Sequence, residues 1–299
     1  MIGGGQFGGP PGGPGSGTWL PPQAVERLQQ QAARPDAWTS DLSVNELAAI
    51  RGVGFEPAGQ VMGSCVYQLG WGSNWGCRGY AFQAWPMTAY EDALTASRRL
   101  ALDRMQQEAR LLGSVGVAGV RINLRYFESR QNLIEFTAIG TALRRPGQAP
   151  LPNPFLSQLS GQQLAKLLHT GHVPCGLAMG VSCLYVHTGW RTGMQVQSWA
   201  NTEITGFSRA VGESRVRAVY KLKADLAEFG ADGAVGSSVN FNVWRTACAG
   251  GGEDAPEDHI VQFFAMGTAV TRFETPEPMK PPSMVMRLDD LKKRSAVFE

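Results

Sequence analysis

Apolar residues recur at helical spacing in two long stretches of the chain. Ala101, Met105, Ala109 and Leu112 follow one another at 4, 4 and 3, and so do Ala218, Leu222, Leu226 and Phe229. Such spacing lines up one face of a helix. Helices are expected over about Tyr90–Leu112 and Val211–Phe229, closed by Gly113 and Gly230. Arg98, Arg99, Arg104, Lys221 and Lys223 fall largely off the apolar face. After each helix the period changes to two. Ile122, Leu124 and Tyr126 alternate with Asn123 and Arg125; Val239, Phe241 and Val243 alternate with Asn240 and Asn242. Alternation marks a half-buried strand. Leu133–Leu143 and Ile260–Val270 are apolar on both faces in places, as a doubly covered strand would be. Val61–Tyr67 and Leu177–Val186 read as strands ahead of the helices. A short helix precedes each: Ser43-x-x-Glu46 and Ser160-x-x-Gln163 read as capping boxes, with Gly52 or Gly54, and Gly171, placed to end it.

The two stretches are copies by sequence. Leu42-Ser43 and Leu159-Ser160 lie 117 positions apart, and Gly54, Pro57, Gly59, Met62 and Gly63 meet Gly171, Pro174, Gly176, Met179 and Gly180 at the same offset. Single insertions then match Ser64-Cys65-Val66-Tyr67 with Ser182-Cys183-Leu184-Tyr185. The offset returns for Arg98, Ala101, Gly113, Gly116, Gly119 and Asn123. It reaches 127 at Gly140-Thr141-Ala142 and Gly267-Thr268-Ala269, the extra residues falling in the Gly-rich acidic stretch Ala247–Asp258. Eight ordered blocks over such lengths point to tandem duplication.

The expected fold is α+β: two tandem β-α-β-β units, each a small antiparallel sheet with one long helix and a short N-terminal helix. One helix covers one face of a sheet, so the other face needs a partner domain or subunit. The division is 1–41, a Gly/Pro-rich tail containing a short helix near Pro22–Ala33; 42–145, first unit; 146–158, linker; 159–273, second unit; and 274–299, a Pro-rich tail. Met1–Pro22 is expected to be disordered. Glu274–Pro282 reads as a spacer, and Met284–Leu291 as a docking segment for another protein or as disorder without function.

These features resemble the YbjQ-like family, whose name proposes heavy-metal binding. The resemblance is carried by Met62-Gly63-Ser64-Cys65 and Met179-Gly180-Val181-Ser182-Cys183, by the helix ends running into Leu112-Gly113-Ser114-Val115-Gly116 and Phe229-Gly230-Ala231-Asp232-Gly233, and by the Gly-Thr-Ala strands. It covers both units and neither tail. It implies a dodecin-like unit that assembles into pentameric rings. With two units per chain, five chains would then stack two rings, one per unit.

The net charge of +2 and the lack of a basic stripe argue against nucleic acid or an anionic membrane as partner. No apolar run approaches the roughly 18 residues of a membrane span, and no secretory signal is visible at the N-terminus. Five cysteines, Cys65, Cys77, Cys175, Cys183 and Cys248, form no CxxC pair, which fits a reducing cytoplasm.

Soft-metal candidates are His169-x-x-His172-x-x-Cys175, a thiolate and imidazole cluster suited to Zn, Cu or Ni, and the matched Cys65 and Cys183, which a ring could gather on its axis. The competing expectations are a helix-end histidine favoured by the helix dipole and cysteines packed as small apolar groups. Gly113-x-x-Gly116-x-x-Gly119 and its counterpart Gly230-x-x-Gly233-x-x-Gly236 resemble phosphate loops but follow a helix instead of opening one, so tight connections are expected. Trp71, Trp75, Trp85, Trp190 and Trp199 line either a pocket or an interface. No nucleophile elbow or supported triad occurs. The expected function is a non-enzymatic, self-assembling protein binding a metal or small ligand; the alternative is an oligomeric scaffold or adaptor whose tails recruit a partner.

Overall fold

A computed structural model describes residues 20–33, 39–68, 84–127, 133–196, 198–246 and 257–273. The expectations for Met1–Pro22 (all but its last residues), for Gly- and Trp-rich residues 70–79 with Trp71, Trp75 and Cys77, for 247–256 with Cys248, and for 274–299 lie outside the described residues.

The described chain is mixed α+β, with six helices and two four-stranded sheets. Helix α1 is Pro22–Ala33 and α2 is Val44–Gly52; strand β1 is Glu56–Gln68 and β2 is Ala84–Pro86. Helix α3 is Thr88–Leu111, followed by β3 (Gly116–Tyr126), β4 (Leu133–Arg144) and β5 (Phe155–Leu156). Then come α4 (Gly161–His169), β6 (His172–Val186), α5 (Trp190–Val196), α6 (Thr205–Glu228), β7 (Gly233–Thr246) and β8 (Asp258–Arg272). Both capping boxes form: Ser43 and Ser160 accept from the Glu46 and Gln163 amides, whose side chains accept from the cap amides in return.

The first sheet runs β1-β4-β3-β5 and the second β2-β6-β8-β7. In each, the strand before the long helix pairs antiparallel with the last strand, which also pairs with the middle one. The expected linker contributes β5, which runs parallel to β3 from Gly116 to Val117. More unexpectedly, β2 leaves its own sheet and adds to the other, pairing Ala84↔Val186 through Pro86↔Leu184.

Each long helix lies against its sheet so closely that a side chain is excluded. A Cβ on Gly63 would stand 1.9 Å from the Ala101 carbonyl oxygen, and one on Gly180 the same distance from that of Ala218. Gly113 and Gly230, at φ +63° and +61°, turn the chain directly after the helices. They serve as tight connections.

Helix α3 has a second neighbour. Its C-terminal half packs Leu102, Met105 and Ala109 with Val61 and Ala138 of its own sheet. Its N-terminal half packs Tyr90 and Leu94 with Ile134 on one side and with Val181, Cys183, Tyr185 and Ile260 of the second sheet on the other. Helix α6 covers the opposite face of that second sheet, through Ala218, Leu222, Ala178 and Ala265. Strands β6 and β8 of the second sheet are therefore covered on both faces, while most of β7 and residues of β1 such as Met62 and Val66 stay exposed.

Candidate functional site

The chemistry of the chain concentrates where α3 meets the second sheet. Glu91, one turn into α3, is fully buried. Its carboxylate accepts the backbone N–H of Cys183 at 2.7 Å and pairs with Lys221 Nζ at 2.5 Å, with Arg217 at 3.8 Å. One turn past Leu94, Arg98 donates to Asp225 at 3.0 Å, both side chains being buried. Asp225 also accepts the Met179 N–H at 2.7 Å. Arg99 reaches Glu228 at 3.1 Å. The two carboxylates thus satisfy outward-pointing amides on the edge of β6. Buried edge amides need such partners, because an unpaired one costs roughly 1–3 kcal/mol. Trp85 stacks on Tyr185 with ring centroids 4.5 Å apart, so this tryptophan belongs to the contact between the sheets. Trp199 is exposed.

A cleft of about 430 Å³ opens beside this contact, between β3 and β7. Met179, Phe264 and Met266 of the second sheet line it, together with Asn123 of β3 and Asn240 of β7. Among the described residues no carboxylate, imidazole or thiol lines it.

A second polar cluster closes the end of the second sheet. Buried Asp258 accepts from the Tyr185 hydroxyl and the Thr188 N–H, each at 2.8 Å, and pairs with His187 Nδ1 at 3.0 Å. Burial pushes the Asp258 carboxyl up, but these donors outweigh it and hold it below the usual carboxylate range. Burial, with Arg245 beside it, lowers His259. His187, Asp258 and His259 are missing from the sequence-level candidates because some 70 residues separate His187 from the other two.

The proposed metal residues do not gather. Cys65 is buried with Ala101, Phe136 and Met179, and Cys183 with Met87, Tyr90 and Val181. Their sequence match also fails at the level of register. Cys65 stands opposite Phe136, two residues after Gly63 and on the same helix-facing side. Cys183 stands opposite Gln262, three residues after Gly180, and so faces away from α6 towards α3. The inserted residue assumed in matching them does not exist in the pairing, which runs without a shift from Gly63 to Tyr67 and from Gly180 to Tyr185. Burial pushes both thiols up, Cys183 well up with Glu91 adding to it. A soft metal takes the thiolate, and these sites favour the thiol. His169 is the last residue of α4, His172 opens β6 with Nδ1 3.0 Å from the Thr170 carbonyl oxygen, and Cys175 is the bulge residue between Pro174↔Val270 and Gly176↔Ala269. Among the described residues no three His, Cys, Asp or Glu side chains come together in a way that could hold a metal ion.

An α+β unit with a glycine-tight strand–helix contact defines the class, and the chain belongs to the YbjQ-like family. The family's model, described as "Putative heavy-metal-binding", matches residues 48–145. Over nearly its whole length the chain is similar to an encapsulin nanocompartment protein of Mycobacterium tuberculosis. The two are 35% identical over 277 residues, which is 90% of this chain and 98% of that protein. No helix among the described residues is long and apolar enough to cross a membrane.

Proposed function

We propose that this chain is a non-enzymatic, self-associating scaffold or adaptor protein that works with an encapsulin nanocompartment in the cytoplasm. The single observation that carries this reading is the similarity to a nanocompartment protein across 98% of that relative's length. The organisation of the chain supports it. Glu91, Arg98, Lys221, Asp225 and Trp85 are spent on joining its two halves, and among the described residues the cleft beside them is lined by no acid, base or thiol. In this reading residues 42–145 and 159–273 are tandem copies of one YbjQ-like unit, the assembly is a homo-oligomer, and the segment Met284–Leu291 beyond a Pro-rich spacer recruits the protein partner. Heavy-metal binding has the family description behind it and no three-ligand cluster among the described residues.

The test is co-expression with the encapsulin shell of the same genome. Full-length chain is expected to co-purify with intact particles. Deleting Glu274–Glu299 is expected to release it while leaving its own assembly unchanged. A chain that never co-purifies with particles overturns the reading. Stoichiometric Zn, Cu or Ni in elemental analysis of the purified protein would restore the metal-binding one.

A further inference from the structure

The contact between the two sheets joins unlike surfaces. The first half of the chain contributes the corner β2–α3 and the β3 residues Ile122, Leu124 and Tyr126. The second half contributes the outer edge of β6 and the face of β6 and β8 that looks away from α6. At its centre β2 extends the sheet, the Met87 N–H donates to the Cys183 carbonyl at 2.9 Å, and Tyr126 donates to Gln262 at 3.0 Å.

Each of these surfaces has a counterpart 117 positions away that is left uncovered among the described residues. Asn201–Ile204 stands before α6 as Ala84–Met87 stands before α3, and it pairs with no strand among the described residues. Ile204 caps α6 at φ −86°, ψ 86°, and Met87 caps α3 at φ −91°, ψ 65°, neither with a side-chain hydrogen bond. On β7, Val239, Phe241 and Val243 replace Ile122, Leu124 and Tyr126, and they are 57%, 42% and 47% exposed. The complementary edge is β1. Met62 donates outward to Glu108 at 2.8 Å and the Ser64 carbonyl accepts outward from Arg104, so the N–H and C=O of Val66 point outward too. No described group takes them. Val66 and Met62, at the places of Cys183 and Met179, are 58% and 47% exposed. Helix α1 occupies only the other end of this edge, where Gln31 donates to Ala58 and Arg27 pairs with Glu108.

We propose that a second copy of this chain fills the vacancy. Asn201–Ile204 of one chain adds as a strand to Val66–Gln68 of the next, and Val239, Phe241 and Val243 cover Met62 and Val66. This rests on the reading that the chain self-associates and names the surfaces that do it. An unpaired strand edge flanked by apolar side chains is a template for strand addition. The occupant is a second copy because the chain already makes this join once, within itself. The join is heterologous, so it propagates into a ring if its rotation closes and a filament if it does not. It alternates the two units around one assembly, in place of two stacked rings of five.

Native mass spectrometry of the full-length protein, with paired cysteine variants, tests this. Trp85 opposes Tyr185, so Thr202 is expected to oppose Gln68. A mixture of Thr202→Cys chains and Gln68→Cys chains, oxidised, is expected to yield a T202C–Q68C disulfide between chains, mapped by peptide mass, whereas neither variant alone yields it. Ile204→Pro, which removes the N–H that would donate to the Val66 carbonyl as Met87 donates to Cys183, at a φ of −86° that proline adopts, is expected to reduce the assembly to single chains with an unchanged circular dichroism spectrum. A wild-type monomer, or self-pairing of T202C as the main product, overturns the proposal. Loss of particle association with the assembly intact would instead count against the nanocompartment reading alone.

Discussion

Removing the Glu91 carboxylate tests whether the two sheets are held by satisfied backbone groups or by charge. Glu91→Ala leaves the Cys183 N–H buried with no acceptor, a cost of about 1–3 kcal/mol. It also strands Lys221 and Arg217, but both keep about a third of their side chains in water and can turn outward. Ion pairs of that exposure are worth about 0–1 kcal/mol. The expected loss is therefore roughly 2–3 kcal/mol, most of it from the amide. Glu91→Gln keeps an oxygen for the amide and loses only the charge, so about 1 kcal/mol is expected. Urea unfolding at neutral pH, extrapolated to water for wild type and both variants, measures the difference. Equal losses for the two variants would show that charge governs the contact. An alanine variant within about 0.5 kcal/mol of wild type would show that the amide finds water. Either result refutes the reasoning.

Gly180→Ala and Gly63→Ala are expected to cost at least about 3 kcal/mol each, because the new methyl meets helix backbone that has nowhere to move. Gly212→Ala, mid-helix in α6 with open space around it, is expected to gain about 0.5–1 kcal/mol, and thermal melts separate the two outcomes. Ser43→Ala and Ser160→Ala each remove an N-cap acceptor and are expected to cost about 1 kcal/mol, read from the same melts. The Asp258 carboxyl sits below its unfolded value near pH 4, so its contribution is full above that value and is lost as pH falls through the lower folded one. Asp103 and Glu108, raised by burial, act in the opposite sense. The urea midpoint of wild type is therefore expected to converge on that of Asp258→Asn as pH falls below about 4, and a constant gap between pH 7 and 3 would sink the assignment.

Elements governed by local periodicity were legible in the sequence. The long helices begin at Thr88 and Thr205, and β1 and β6 begin earlier than expected, at Glu56 and His172, but the types are as read. The capping boxes are legible because the Ser and its partner lie three residues apart. What escaped depends on distant neighbours. Strand β2 is three residues ending in proline, too short to show alternation, and it exists because the β6 edge is there to receive it. Arg98 looks like a solvated helix residue until Asp225 of α6 is brought beside it. Cys65 and Cys183 look equivalent because Ser-Cys precedes an apolar residue and Tyr in both. Only the pairing with Phe136 and Gln262 shows that they face opposite ways. A one-residue slip reverses the face of every side chain that follows.

The long helices make the same point about the whole molecule. Helices α3 and α6 are both 24 residues long, yet α3 buries ten residues and α6 five. Four of the five in α6, Ser214, Ala218, Leu222 and Asp225, lie 117 positions after Ser97, Ala101, Met105 and Glu108, which α3 also buries. This shared set is what a helix needs to lie on its own sheet. The surplus in α3 includes Tyr90, Glu91, Leu94 and Arg98; the first three touch the second sheet, and Arg98 pairs with Asp225 of α6. Their counterparts in α6 are Phe207, Ser208, Val211 and Arg215, which end at solvent or at half-burial. Phe207 and Val211 pack on their own sheet with Leu184, Val186 and Val261, whereas Val239 and Phe241 on the neighbouring strand are apolar and stay exposed. Burial differs between the helices because α3 has a second neighbour and α6, among the described residues, has none, and the exposed apolar residues of β7 lie on the side that the proposed join would cover.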